Sequence, residues 1–121
     1  MAYRIMVVED EYWIATQLAA MVRERGAAVV GPTGSIPQAI ELLSGVDRPD
    51  AVVLDILLRV GDVYPFADIL DKFDIPFVFA TACDKNDIPS RFAHVPHFSK
   101  PISDCDCIDA ALRLAGGRPP R

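Results

Sequence analysis

Two short runs, "VVL" at 52–54 and "FVFA" at 77–80, are apolar at every position. A strand with one wet face alternates polar and apolar residues, whereas a strand buried on both faces has no reason to. Pro49-Asp50 and Pro76 stand just ahead of these runs and mark turns, so both read as strands rather than pieces of helix. Each is followed by a longer stretch, and a sheet shielded on both sides must have helices on both sides. Parallel strands joined by right-handed crossovers then give an α/β domain with a doubly wound parallel sheet.

The remaining chain fits that frame. "YRIMVV" is β-rich and ends abruptly in Glu9-Asp10-Glu11. Ile14, Leu18, Met21 and Val22 follow with helical spacing until Gly26. "AAVVG" reads as a second strand cut off by Gly31-Pro32. Ser35 can cap a helix with Pro37 in its first turn, carried by Ala39, Ile40, Leu42 and Leu43 to Gly45. "AVVLD" is the third strand, and "YPFADILDKF" a helix with Phe66, Ile69, Leu70 and Phe73 along one side. "PFVFAT" is the fourth strand, "ACDKNDIPSRFAHV" a short, weakly formed helix, and "HFSK" a brief fifth strand. Ser103 offers a final cap, with Asp106 three residues on, for a helix striped by Ile108, Ala111, Leu112 and Leu114.

Composition excludes several classes. With 121 residues, 51% hydrophobic and 24% charged, the chain has the make-up of one ordinary globular domain over residues 1–121. Residues 116–121, "GGRPPR", read as a short basic tail, so no output domain is expected. A net charge of −5 argues against a nucleic-acid surface. No apolar run is long enough to span a bilayer, and "MAYRIMVVEDEYW" lacks the pattern of a signal peptide, so a cytoplasmic protein is expected. Cys83, Cys105 and Cys107 are odd in number and lack CxxC spacing, which supports neither a disulfide framework nor a zinc site.

The strand ends carry the chemistry. In doubly wound sheets ligands gather at the carboxyl edge. There strand one delivers Glu9 and Asp10, strand three Asp55, strand four Thr81, and strand five Lys100 followed by Pro101. Acids crowded together stay ionised only if a cation offsets their repulsion. Oxygen donors without His or Cys suit Mg2+. Asp10 and Asp55 would be direct ligands, Glu9 a direct or water-mediated one, and the Leu57 backbone carbonyl a further oxygen. The competing reading is that Glu9, Asp10 and Glu11 only cap the first helix. A carboxylate beside Mg2+ can act as a nucleophile toward phosphorus, with Lys100 and the Thr81 hydroxyl placed to hold the phosphoryl oxygens.

Glu9-Asp10, Asp55, Thr81 and Lys100-Pro101, in this order, resemble the receiver domain of two-component response regulators. The resemblance covers essentially the whole chain. It implies a flavodoxin-like sheet of order 2-1-3-4-5 with five helices. It makes Asp55 the phosphoacceptor, Glu9 and Asp10 the Mg2+-holding pair, Thr81 the switch hydroxyl, Lys100 the counter-charge, and Lys100-Pro101 a cis peptide. The donor would be a histidine kinase or histidine phosphotransfer protein. "PFVFAT" is similar to the PFxFATGY signature of the FAT GUY receivers, found with kinases of the HWE and related types. Here Ala82 and Cys83 replace that group's glycine and tyrosine, and His97 stands at the usual aromatic switch position.

The expected function is thus a phosphorelay switch more than a dedicated enzyme. Its output would be protein–protein contact or a phosphate sink, and its assembly a monomer or weak dimer. The alternative is a pseudo-receiver, a constitutive protein-binding module favoured by Ala82, Cys83 and His97. His97 reads equally as a strand residue or a switch, Cys83 as an inert thiol or a redox handle, and Trp13 as a partner contact or a helix flank. A haloacid-dehalogenase phosphohydrolase would need DxD after strand one, where "EDE" stands. A flavodoxin-type cofactor loop would not carry acids there.

Overall fold

The computed structural model describes residues 2–117; of the tail expected at 116–121, residues 118–121 lie outside the described residues. Strands β1 (Arg4–Val8), β2 (Ala28–Thr33), β3 (Ala51–Leu54), β4 (Phe77–Thr81) and β5 (His97–Ser99) form one sheet in the order β2-β1-β3-β4-β5. Every neighbouring pair is parallel. Helices α1 (Tyr12–Glu24), α2 (Ile36–Leu43), α3 (Tyr64–Lys72) and α4 (Asp106–Gly116) complete the described secondary structure, apart from two 3-10 turns.

The uninterrupted apolar runs are divided residue by residue between the two faces. Met6, Val8, Val52, Leu54, Phe77 and Phe79 point toward α2 and α3. Ile5, Val7, Ala51, Val53, Val78 and Ala80 point toward α1 and α4. The first face is aromatic: Phe66, Phe79 and Phe92 are fully buried, each contributing about 1.5–3 kcal/mol. The second is lined by small residues, among them Ala110, Ala111 and Ala115 of α4. Cys107 sits in this layer, and burial pushes its thiol up to about 11, so it packs as an inert apolar residue.

Five sequence expectations are corrected. β2 does not stop at Gly31-Pro32 but runs through it to Thr33, with a cis Gly31–Pro32 bond and a register shift opposite Met6 and Val8. β2 is an edge strand, where the missing proline N–H breaks no ladder bond. The short helix expected within 82–95 is instead the 3-10 turns Lys85–Asp87 and Ser90–Phe92. Pro89 between them cannot donate to a helical ladder, and it holds the preceding residue extended. Among the described residues, four helices therefore stand where the family resemblance implies five. Ser103 does not cap the last helix: α4 begins at Asp106, whose N–H is taken by the Asp104 carboxylate at 3.0 Å. Phe73, expected in a helix stripe, follows α3 and lies exposed. Leu114, assigned to the last helix's apolar stripe, lies on the exposed side of α4, which buries Ala110, Ala111 and Ala115 instead.

Candidate functional site

Three backbone hydrogen bonds carry the ladder just beyond the strands and fix the site. The Asp55 N–H reaches the Val8 carbonyl at 3.0 Å, the Glu9 N–H the Thr33 carbonyl at 2.9 Å, and the Lys100 N–H the Thr81 carbonyl at 3.0 Å. Residues adjoining three strands are thereby locked to one edge. Gly34 permits the closest approach: a Cβ there would lie 2.5 Å from Asp10 Cβ and 2.6 Å from its Cα. Only glycine lets the loop after β2 pass this near Asp10.

Glu9, Asp10 and Asp55 each offer a carboxylate oxygen within 4.8 Å of the others. Glu9 and Asp55 are buried, each 3% exposed. The Lys100 ammonium joins them, donating to Glu9 Oε1 and, at 2.9 Å, to Asp55 Oδ2. The Leu57 N–H folds back onto Asp55 Oδ1 at 3.0 Å, while the Leu57 side chain is half exposed. Thr81 is fully buried at the end of β4, and its hydroxyl accepts the Cys83 N–H at 3.2 Å. His97 reaches the Cys83 carbonyl at 2.9 Å through Nε2, which must carry the proton because a carbonyl only accepts. The Lys100–Pro101 bond is cis.

The capping reading of the acidic run holds for one residue. Glu11 caps α1, accepting the Ile14 N–H at 2.9 Å. Glu9 accepts the Glu11 N–H at 3.1 Å but turns its other oxygen to Lys100. Asp10 points across to the loop after β3, accepting the Arg59 N–H at 2.7 Å, with Arg59 Nε 3.8 Å from the same oxygen. Sequence reasoning overlooked Arg59 and Gly34, because loop conformation alone brings either to Asp10.

Burial works against the charges of Glu9, Asp55 and Lys100. It pushes the Asp55 carboxyl up, yet Lys100, the Leu57 N–H and the Thr81 hydroxyl together hold it below its ordinary value. For Glu9 burial prevails over Lys100 and the Glu11 N–H, and its pKa rises. Burial would lower Lys100, but its bonds to Glu9 and Asp55 raise it, so it remains an ammonium. Cys83 is raised by burial and then by Asp87, Asp84 and Asp55, all of which disfavour the thiolate needed for redox chemistry.

An open cavity of about 240 Å³ lies over the three acids, lined also by Leu57, Arg59, Ala82 and Lys100. Its donors are hard oxygens, without sulfur or imidazole on the cavity wall. The three oxygens lie within 4.8 Å of one another, close enough for one small divalent ion to reach all three after modest side-chain shifts. Glu9, Asp10 and Asp55 fit such an ion.

No protein-family model matches the chain. The transcriptional regulatory protein PdtaR of Mycobacterium tuberculosis is 32% identical over 119 residues, covering 95% of this chain and 57% of PdtaR. The chain thus spans little more than half of that relative. Among solved structures, SdrG from Sphingomonas melonis Fr1 is 33% identical with a TM-score of 0.76, over 94% of this chain and 96% of SdrG. The PhyR response regulator REC domain of Erythrobacter litoralis is 25% identical with a TM-score of 0.76, over 99% of this chain and 96% of that one. With SdrG matched along nearly its whole length and a response regulator REC domain along nearly its own, the chain belongs to the response regulator receiver domains.

Proposed function

We propose that this receiver accepts a phosphoryl group on Asp55 from the phosphohistidine of a histidine kinase or histidine phosphotransfer protein. The observation that carries this reading is the Lys100 ammonium held between Glu9 and Asp55, with Asp10 alongside. An Asp55 oxygen attacks phosphorus, the P–N bond to the donor imidazole breaks, and the imidazole leaves with the bonding pair, giving an aspartyl phosphate. Bound Mg2+ would supply positive charge against the acids and the transferring oxygens. Lys100 holds the Asp55 carboxylate on the cavity side and stays protonated to face the spreading negative charge. Glu9 and Asp10 contribute the remaining carboxylate oxygens.

The new group brings about 1.5 to 2 negative charges at neutral pH and fresh acceptor oxygens. The Thr81 hydroxyl exchanges its present partner for the phosphoryl group, and the Cys83 N–H, now on that hydroxyl, is released. His97 transmits the change because it grips the Cys83 carbonyl. Water then hydrolyses the acyl phosphate, making the chain a timed switch in the cytoplasm, a monomer or weak dimer, acting through protein contacts or by drawing off kinase phosphate.

The test is intact-mass measurement after incubation with phosphoramidate and Mg2+. Wild type should gain one phosphoryl group, and Asp55→Asn should gain none. A wild type that stays unmodified would favour the constitutive, pseudo-receiver reading, for which Ala82, Cys83 and His97 speak. A gain that persists in Asp55→Asn would move the acceptor elsewhere.

A further inference from the structure

Glu9 and Asp55 share Lys100, so the third acid of the site needs its own counter-charge. Asp10 has one in Arg59. The contact is made twice over: the Arg59 backbone N–H is 2.7 Å from Asp10 Oδ2, and the guanidinium Nε is 3.8 Å from that oxygen. The Arg59 side chain is 75% exposed and lies on the wall of the cavity above the acids. It is therefore free to swing away while the main chain keeps its bond. Three carboxylates against Lys100 and Arg59 leave one negative charge in excess, so a divalent ion and Arg59 together would overshoot.

We propose that Arg59 is a built-in competitor for the divalent metal at Asp10, and that its guanidinium sets how tightly this receiver holds Mg2+. The inference rests on the metal-holding role proposed for Glu9, Asp10 and Asp55. Arg59 faces the Asp10 carboxylate that would also hold a metal, and like charges a few ångströms apart in a partly enclosed site repel. Binding Mg2+ displaces the guanidinium, and removing the metal restores it. The backbone bond survives any change of the side chain, so substitution removes the charge without freeing the loop.

The test is calorimetric titration of Mg2+ into the full chain at low ionic strength, with a second titration at high salt. Arg59→Ala should bind Mg2+ about two- to fivefold more tightly than wild type, the scale of an exposed ion pair. Arg59→Glu should bind more tightly still, and both gains should shrink in high salt as screening removes the repulsion. Lys72→Ala deletes the same charge at the far end of α3, on the amino edge of the sheet, and should leave affinity at the wild-type value. Affinity unchanged or weakened in Arg59→Ala, with Asp10→Asn losing the metal, overturns the competition while leaving the metal site intact. A folded wild type that takes up no Mg2+ overturns both.

Discussion

Replacing Lys100 by methionine keeps the length of the side chain and deletes its charge. Glu9 and Asp55 would then face one another, nearly enclosed, with the ammonium that bonds both removed. Breaking a buried pair by deleting one partner costs about 3–5 kcal/mol. The Lys100 side chain is 15% exposed and one wall of the site is open to water, which brings the expected loss to roughly 2–4 kcal/mol. With a urea slope of about 1.5 kcal/mol per molar, the midpoint should fall by roughly 2 M. The loss has a pH signature. Lys100 is raised in the folded state, so its contribution is complete below its unfolded value and vanishes only as pH rises through the folded one. Asp55 is depressed, and its contribution is present above its unfolded value and fades as pH falls through the folded one. Glu9, already raised, rises further without its partner and takes up a proton first on acidification. The gap between wild type and variant should therefore be widest near neutral pH and narrow toward about pH 4–5, where the bared carboxyls protonate. The assay is urea unfolding followed by circular dichroism across that range without metal, repeated at neutral pH with millimolar Mg2+, which should return part of the loss. A deficit below about 1 kcal/mol, or one that does not change with pH, would show that the three side chains do not form the charged cluster described here.

Two further outcomes follow from the geometry. Gly34→Ala would push a methyl into the Asp10 backbone; we expect about 1–3 kcal/mol lost in thermal unfolding, together with several-fold weaker Mg2+ binding, because the loop carrying Asp10 must retreat. His97→Ala removes the bond to the Cys83 carbonyl and should cost about 0.5–1.5 kcal/mol while quickening amide hydrogen exchange at residues 82–84, whereas unchanged exchange would make His97 a plain strand residue.

The sheet could be read from sequence because its middle strands must be apolar on both faces, and few other folds tolerate "VVL" and "FVFA" between helices. The gathering of Glu9, Asp10, Asp55 and Lys100 was legible for a related reason: each adjoins the end of a parallel strand, and parallel strands end on the same edge. What escaped depended on position within the sheet or on loop shape. Gly31-Pro32 breaks a central strand but passes on an edge, and residue order does not say which strand is outermost. Ser103 is an acceptable cap by residue type, but α4 starts later, with Cys105 at its N-cap position, and loop conformation alone decides that. Arg59 and Gly34 are ordinary loop residues until the chain folds them against Asp10. Trp13 is 75% exposed with its ring set edge-on to Tyr12 at 5.3 Å, which separates it from the buried side of α1.

The segment between β4 and β5 is anchored at its ends. Phe92 inserts among Phe77 and Phe79 and stacks on Tyr64, Val95 is buried, Arg91 pairs with Asp68, and the Cys83 carbonyl is held by His97, while residues 84–87 between these points are solvent-facing and bonded to near neighbours. A stretch held this way has little to lose on rearranging, so a push of one or two hydrogen bonds at Thr81 is commensurate with what keeps it in place. Had a full helix been packed there, the same push would have to overcome a whole apolar face. Sparse anchoring leaves this strip easy to reshape, and it lies directly downstream of the pocket.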